Sequence, residues 1–519
     1  MTSRSSTAGT LNSRLQKSRP IAHSKSTESI ATRTSTAPPK IKVSSPWHVN
    51  YIFKEEDISF PKKLLFHDYL CTKPLETIDL KGWIVCPEIF EIIKNQCSNI
   101  RILILDDVIG LTLECFQHIR GLKHLRILSL QRIVNCSITN EIAHIIASYK
   151  LLHTLNLNKC NILSDQIFIT LSQSCINMKI LLLSGCKGLD NPCLHAIAQW
   201  IPKYRKLKIL DFSNCLDIQD DGILEIFVLG YNIIKDINLS YCKQLTTTAL
   251  TGIRTKMPEF RNFNISNMNL GNTIYEWLSE GGGKYLIHLN LSNNNELDDA
   301  GLINIGRKCH FLIIFHIANC LNITDYGINY FCKYFHGHLE DIDLSNNIQL
   351  TSNTAIIISK ISNYIKKIKL NSLSQLDANS LKILWNSVNQ LETFEMCSNI
   401  AKTTILHRQS TMPHFSDIVL INSTMPYLTL RSVKLSGCFQ LSNVGICILI
   451  RSCVLLKYID VSYCNSLTDE VLYEIAQWSG ELEVLVLSGC VKITSEGVQA
   501  LSTGKCVRKR CSFFYFSII

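Results

Sequence analysis

The sequence predicts an α/β solenoid, with a curved parallel β-sheet on its concave face and helices on its convex face. Three observations predict it. The hexapeptides LLLSGC, INLSYC, VKLSGC, IDVSYC and LVLSGC end at Cys186, Cys242, Cys438, Cys464 and Cys490. They belong to a pattern L-x-x-L-x-L-x-x-(C/N) whose last position falls sixteen times between Trp83 and Cys490. The steps are 25 to 29 residues, apart from one of 39.

A leucine-rich repeat has this pattern and this period. One unit shows the physics. In LKILDFSNC, Leu207, Leu210 and Phe212 point inward, while Asp211 and Ser213 alternate outward on a short half-buried strand. A turn follows, then a helix such as DDGILEIFVLG. Thr324 and Asp325, like Thr468 and Asp469, stand where a helix N-cap belongs. No unit buries its apolar face alone, so neighbours must stack.

The chain divides into four segments. Residues 1–45 form a basic, Ser/Thr-rich tail, with Arg4, Arg14, Lys17, Arg19, Lys25, Arg33, Lys40 and Lys42 against one acid, Glu28. So few large apolar residues do not offset ordering entropy, and the tail is expected to be disordered. A mitochondrial transit peptide shares this composition, but no amphipathic helix is evident in it. Residues 46–74 are a short cap segment. Residues 75–503 are the solenoid, with an insertion near 400–427 where the step lengthens. Residues 504–519 end in FFYFSII, an apolar stretch where a solenoid needs a polar cap. An edge strand, a dimer contact and a faulty gene model are all open readings of it.

The formal charge of +10 is modest for 519 residues and concentrates in the tail. The near-neutral body argues against nucleic acid as a partner. No run of about 18 apolar residues is present, so no membrane span is expected. The N-terminus lacks a secretory apolar core. The 22 cysteines are therefore expected to be reduced thiols in a cytoplasmic chain, with a nuclear location as the alternative.

Cysteine takes eight of the sixteen closing positions, Asn three and apolar residues five. A zinc site needs four convergent ligands. A position shared by Cys, Asn, Met268, Leu373 and Val108 is instead a small buried site that packs or bonds the turn. No metal and no cofactor is expected.

Catalytic patterns are missing as well: there is no Walker loop, no H-E-x-x-H, no G-x-S-x-G and no dinucleotide glycine motif. EGGGK, residues 280–284, reads as a turn between a helix and a strand. SNNNELDD, residues 292–299, lacks EF-hand spacing and reads as a polar turn leading to a helix cap. The chain is expected not to be an enzyme.

Binding is expected on the concave strand face. Its outward column comprises Asn156, Asn158, Asp211, Ser213, Asn238, Asn264, Asn290, His316, Asp343, Lys369, Glu395, Lys434 and Asp460, with Ser240, Ser266, Ser292, Ser345, Asn371, Ser436 and Ser462 among them. Amides and hydroxyls with charges of both signs suit a protein partner and offer no positive stripe to nucleic acid. The competing reading is that these are simply polar positions of a solvated strand. The insertion carries His407, Arg408, His414 and Phe415, expected to form a loop on the binding side. An irregular repeat with a longer helix is the other reading of it.

The units LSGCVKITSEGVQAL, VSYCNSLTDEVLYEIA and IANCLNITDYGINYF resemble the cysteine-containing leucine-rich repeats of F-box/LRR proteins. LETIDLKGW, residues 75–83, resembles the segment that opens the repeats in that family. The resemblance implies a substrate receptor of an SCF-type ubiquitin ligase, binding a protein substrate on its concave face and the Skp adaptor and cullin through residues 46–74. An F-box is a three-helix segment of about 40 to 50 residues in that family, and only residues 47–74 are available here. FPKKLL resembles its usual opening but sits too close to LETIDL, so the F-box is degenerate or missing. Relatives with this repeat type that act as ciliary dynein-regulatory scaffolds imply a second reading.

Overall fold

The computed structural model describes residues 76–133, 138–161, 163–250, 259–268, 273–398, 415–421, 429–503 and 513–515. Each unit opens with a three-residue strand. Ile209–Asp211 pairs in parallel with Ile180–Leu182 on one side and Asp236–Asn238 on the other, residue for residue. The same unshifted register runs in chain order from Thr77–Asp79 to Phe513–Tyr515 and joins seventeen described strands into one sheet.

An unshifted register stacks equivalent side chains into columns. The central strand position is apolar throughout, and Leu181, Leu210, Ile237, Phe263, Leu289 and Phe315 are all buried. Burying one such side chain stabilises the fold by roughly 1.5–3 kcal/mol. Each column position gains its burial only from the units on both sides, so stability grows with stacking.

The turn after each strand has a fixed backbone shape. The residue before the closing position has positive φ in fifteen units, from 49° at Arg132 to 75° at Gly437. Gly and Asn occupy most of these places because they tolerate the left-handed region best. At Gly489 a second constraint applies, since a Cβ there would lie 2.5 Å from the Tyr463 ring.

The closing side chain then ties its turn to the preceding unit. The thiol of Cys186 donates to the Leu157 carbonyl at 3.0 Å, that of Cys242 to Phe212 at 3.1 Å, and that of Cys490 to Val461 at 3.1 Å. Cys160, Cys320, Cys438 and Cys464 make the equivalent bond. The amides of Asn294 and Asn347 reach the Ile265 and Ile317 carbonyls at 3.0 and 2.9 Å. Cysteine and asparagine are thus interchangeable as buried donors to one carbonyl. Asn399 lies outside the described residues.

Helix starts are joined by a second device. Asp299, the first helical residue of Asp299–Lys308, accepts the Thr324 backbone N–H at 2.8 Å and its hydroxyl at 2.6 Å. Asp417 does the same for Ser442, and Asp469 for Thr494. Asp325 accepts the Thr351 N–H at 2.9 Å and also its hydroxyl. This corrects the capping expectation. Thr324 does cap its own helix, through the Tyr326 N–H at 3.2 Å. Asp325 and Asp469 instead hold the next unit's cap residue, because the first-turn side chain faces the neighbouring helix. The Thr468 side chain makes no bond to its own helix, and the residue engages Asn443 through its N–H and hydroxyl.

Three local features refine the reading further. The helix Thr273–Trp277 runs on into a wider helical turn, Leu278–Gly282, so EGGGK begins inside a helix and only its end is a turn. Glycine is needed because a Cβ at Gly282 would lie 2.0 Å from the Trp277 ring. In SNNNELDD, Asp298 caps the following helix through the Gly301 N–H at 2.9 Å. Phe513–Tyr515 pairs with Val484–Val486 as a last parallel strand, so the aromatic C-terminal segment extends the sheet.

The tail, the cap segment through residue 75 and residues 399–414 lie outside the described residues, among them His407, Arg408 and His414. The irregular unit is therefore seen only in part. Its helix, Asp417–Leu420, has four residues and is shorter than its neighbours, not longer.

Candidate interaction surface

Side chains of the first and third strand positions form two parallel columns on the sheet face away from the core. The columns change chemistry along the chain. In the first part Ile102 and Ile180 are half-buried and Ile104, Ile127 and Leu182 buried, with Ser129, Thr154 and Asn156 at the positions between them. Asn238, Asn262, Asn264 and Asn290 follow, and charges occupy the strands from His316 to Asp460.

The amide and carboxylate column is not a row of free contact groups. Asn156, Asp211, Asn238, Asn264, Asn290, Asp343 and Asp460 each accept the backbone N–H two residues on, at 3.0–3.1 Å. Each is an Asx turn that ends its strand and starts the tight turn. The hydroxyls continue the pattern between units: Ser213 donates to Ser184 at 2.8 Å, and Ser345 accepts from the Asn371 N–H at 3.2 Å. The amide of Asn158 accepts the Ser184 N–H at 2.7 Å.

This overturns part of the expected contact set. Asn156 is 2% exposed, Asp211 4% and Asn238 5%, so these three are buried structural residues. Ser240, Ser266, Ser292, Ser345 and Ser462 are buried beside them. The physical reason is that a short polar side chain at a strand end folds back onto its own turn. Phe415 is a second correction: it is fully buried against Trp385 and Phe394, at centroid distances of 5.6 and 5.5 Å, and is core, not a loop contact.

The half-buried charges pair across neighbouring strands. His316 Nε2 lies 3.1 Å from Asp341 Oδ1, and Lys367 Nζ lies 3.7 Å from Asp341 Oδ2. Lys369 stands 3.7 Å from Asp343, and Lys434 stands 2.9 Å from Glu395 and over the Tyr458 ring. Burial alone would raise the Asp341 carboxyl, but the His316 bond and the charges of His316, Lys367 and Lys369 hold it below the usual range. Burial likewise opposes the charge on Lys434, and Glu395 restores it to above the ordinary value. Upstream, burial pushes Asp236 up to about 6 although the Asn262 amide donates to it. The face thus runs from a mixed, largely buried end through an amide middle to an ion-paired end.

The thiols behind this face are unreactive by environment. Burial pushes Cys215, Cys242 and Cys464 up to about 12, far from a thiolate at neutral pH. Among the described residues no group of three or more His, Cys, Asp or Glu is arranged to hold a metal ion, and no helix is long and apolar enough to cross a membrane.

A row of basic residues escaped the sequence reading. Arg101, Arg126, His153, Lys179, Lys208, Lys235 and Arg261 each directly precede a strand in seven consecutive units. Their backbones form one ladder, in which Arg126 N–H donates to the Arg101 carbonyl at 2.8 Å, His153 to Arg126 at 2.9 Å, Lys179 to His153 at 2.8 Å and Lys208 to Lys179 at 2.9 Å. The signal was present as a basic residue after the first leucine-type position of the repeat.

Comparison with known proteins agrees with this architecture. The Leucine Rich repeat family matches at residues 284–306 and 482–502. The chain is similar to the F-box protein MAX2 homolog B of Petunia hybrida, 26% identical over 177 residues, covering 30% of this chain and 24% of that protein. It is similar to MAX2 homolog A of the same plant, 25% identical over 223 residues, covering 39% of this chain and 30% of that protein. The matches thus span less than a third of those relatives' length. The crystal structure of the yeast Rad7 and Elc1 complex aligns with a TM-score of 0.49 at 17% identity, covering 75% of this chain and 86% of that chain. The stacked units and the repeat match show a leucine-rich-repeat solenoid, and the chain is similar over part of its length to F-box proteins.

Proposed function

We propose that the protein is a protein-binding adaptor, the substrate-recognition subunit of an SCF-type ubiquitin ligase acting in ubiquitin-dependent protein degradation. The observation that carries this reading is the similarity of its repeats to F-box proteins. The sheet face supports a protein partner, since its half-buried amides and paired charges of both signs suit hydrogen bonding to a polypeptide and offer no positive stripe to nucleic acid. In this reading the half-buried His316, Asp343, Lys369, Glu395, Lys434 and Asp460, with Asn158, Asn264 and Asn290, touch the substrate. Residues 46–74 take the Skp adaptor and, through it, cullin. The protein positions its target and leaves the chemistry to its partners, and it works in the cytoplasm.

The similarity is confined to part of each relative, and FPKKLL lies close to the first repeat. Those two facts favour a second reading, a non-ligase scaffold in a ciliary dynein-regulatory or cytoskeletal assembly. Co-purification of the Skp adaptor and cullin with the full chain, and with a Leu64→Asp/Leu65→Asp variant, separates the two. The ligase reading expects capture by the first and loss with the second. Capture by neither leaves the scaffold reading.

A further inference from the structure

The cation row stands apart from the sheet face and from the ligase reading. Its backbone ladder fixes the seven residues one strand apart, at about 4.8 Å per step and about 29 Å in all. At the ends, Glu76 pairs with Arg101 at 3.2 Å and Glu259 with Lys235 at 2.7 Å. Between them, no ion pair among the described residues neutralises Arg126, Lys179 or Lys208. The described loops leading into these seven strands add further cations, among them Lys123, Lys150 and Lys206, and hold one acid, Glu259.

The same row further along the chain is the internal control. There it reads Glu340, Lys366, Glu392, Arg431, Lys457 and Glu483, joined by the same backbone ladder. Lys366 pairs with Glu340 at 2.7 Å, and Lys457 pairs with Glu483. Mixed signs are therefore compatible with this position and pair most of its charges, although Arg431 and Lys457 stand side by side. The first half holds six cations and His153 at this position and no acid, at a cost. Burial, then the positive charges of Lys179 and Arg126, lower the His153 pKa; burial, then Lys235 and Arg205, lower that of Lys208. Like charges held side by side and left unpaired mark a surface completed by an anion.

Leu151, Ile176 and Tyr231, each more than 40% exposed, stand in the loops of the same units. A surface that alternates cations with exposed apolar groups fits a polypeptide better than a phosphate backbone. The spacing chooses its form. Acids once per helical turn recur about every 5.4 Å, near the strand spacing. Acids on one side of an extended chain recur about every 6.6 Å and fall out of step. We propose that this row is a docking surface for an acidic amphipathic helix of a partner protein, about 20 residues long.

The test uses the full-length protein and three fluorescent probes in an anisotropy titration. One is a 20-residue-scale helical peptide with Glu along one face and Leu beside it. The second is its scrambled sequence, and the third is a single-stranded DNA of equal charge. The patterned peptide is expected to bind at least tenfold tighter than the scrambled one, with affinity falling as salt rises. Arg126→Glu/Lys179→Glu is expected to weaken it at least tenfold, whereas Lys243→Glu/Lys492→Glu, with the same charge change elsewhere, leaves it within twofold. Thermal unfolding verifies that each variant folds, and Arg126→Gln/Lys179→Gln gives a milder loss. Equal loss in both reversal variants, equal binding of the scrambled peptide, or DNA binding as tight as the peptide's overturns the proposal.

Discussion

The thiol of Cys215 donates to the carbonyl of Leu183 at 3.0 Å, from one unit into the strand before it. The bond explains why cysteine recurs at a position that has no use for reactivity. It is small, it fills a buried site, and its proton gives the Leu183 carbonyl a second donor beside the Cys186 N–H.

Removing that proton is expected to matter more than removing the sulfur. Cys464→Ala removes one of the two donors to the Leu435 carbonyl, leaving the Cys438 N–H, and is expected to cost about 0.5–1.5 kcal/mol. Cys464→Asn, the chain's own alternative at this position, is expected to cost less. Urea titration of the two variants tests the order. A thiol reagent at pH 8 is expected to leave Cys215, Cys242 and Cys464 untouched until the protein unfolds.

A second relationship invites a double-mutant cycle. A Cβ on Gly327 would lie 2.2 Å from the Asp299 carboxylate, the same carboxylate that holds Thr324. Gly327→Ala is expected to destabilise by about 1–3 kcal/mol through this overlap. Asp299→Ala is expected to cost about 1 kcal/mol through the lost bonds. The double variant is expected to lose clearly less than the sum, because alanine at 299 makes room. Additive losses would show that the two side chains do not compete.

Asp236 sets a pH dependence of defined sign. Burial pushes its folded pKa up to about 6, above the ordinary carboxylate range, so the folded state binds the proton more tightly than the unfolded state. Its contribution is most favourable below pH 4, falls as pH rises through about 6, and stays unfavourable above. Asp236→Asn is expected to stabilise the protein at pH 7 by on the order of 2 kcal/mol and to have little effect near pH 4. Melting temperatures of the two proteins across this range test it, and a constant difference would refute the assignment.

Asp341 has the opposite sign. Its folded pKa lies below the usual value, so its contribution is present above about pH 4 and is lost as pH falls through the folded pKa. Asp341→Asn is expected to destabilise at pH 7, where His316 and Lys367 lose their shared acceptor. If the half-buried charges also carry partner recognition, Lys434→Glu, which places two acids side by side with Glu395, weakens partner capture while the far end stays intact. Capture unchanged by this variant removes the charged end from the binding site.

The sequence by itself determined the repeat, its period and the role of the closing cysteine. These are legible because a stacked parallel sheet writes each column as a spacing of 25 to 29 residues. It also held the cation row, but spread one residue per unit, where no local window shows a cluster. Only the tertiary structure decided what neighbours do to one another. Asp325 and Asp469 look like caps of their own helices and instead hold the next unit. Asn156, Asp211 and Asn238 look like exposed contacts and are buried in their own turns. Phe415 looks like a loop tip and fills the core beside Trp385. Periodicity tells which side of a strand a residue leaves from; where its polar atoms find partners depends on the unit stacked against it.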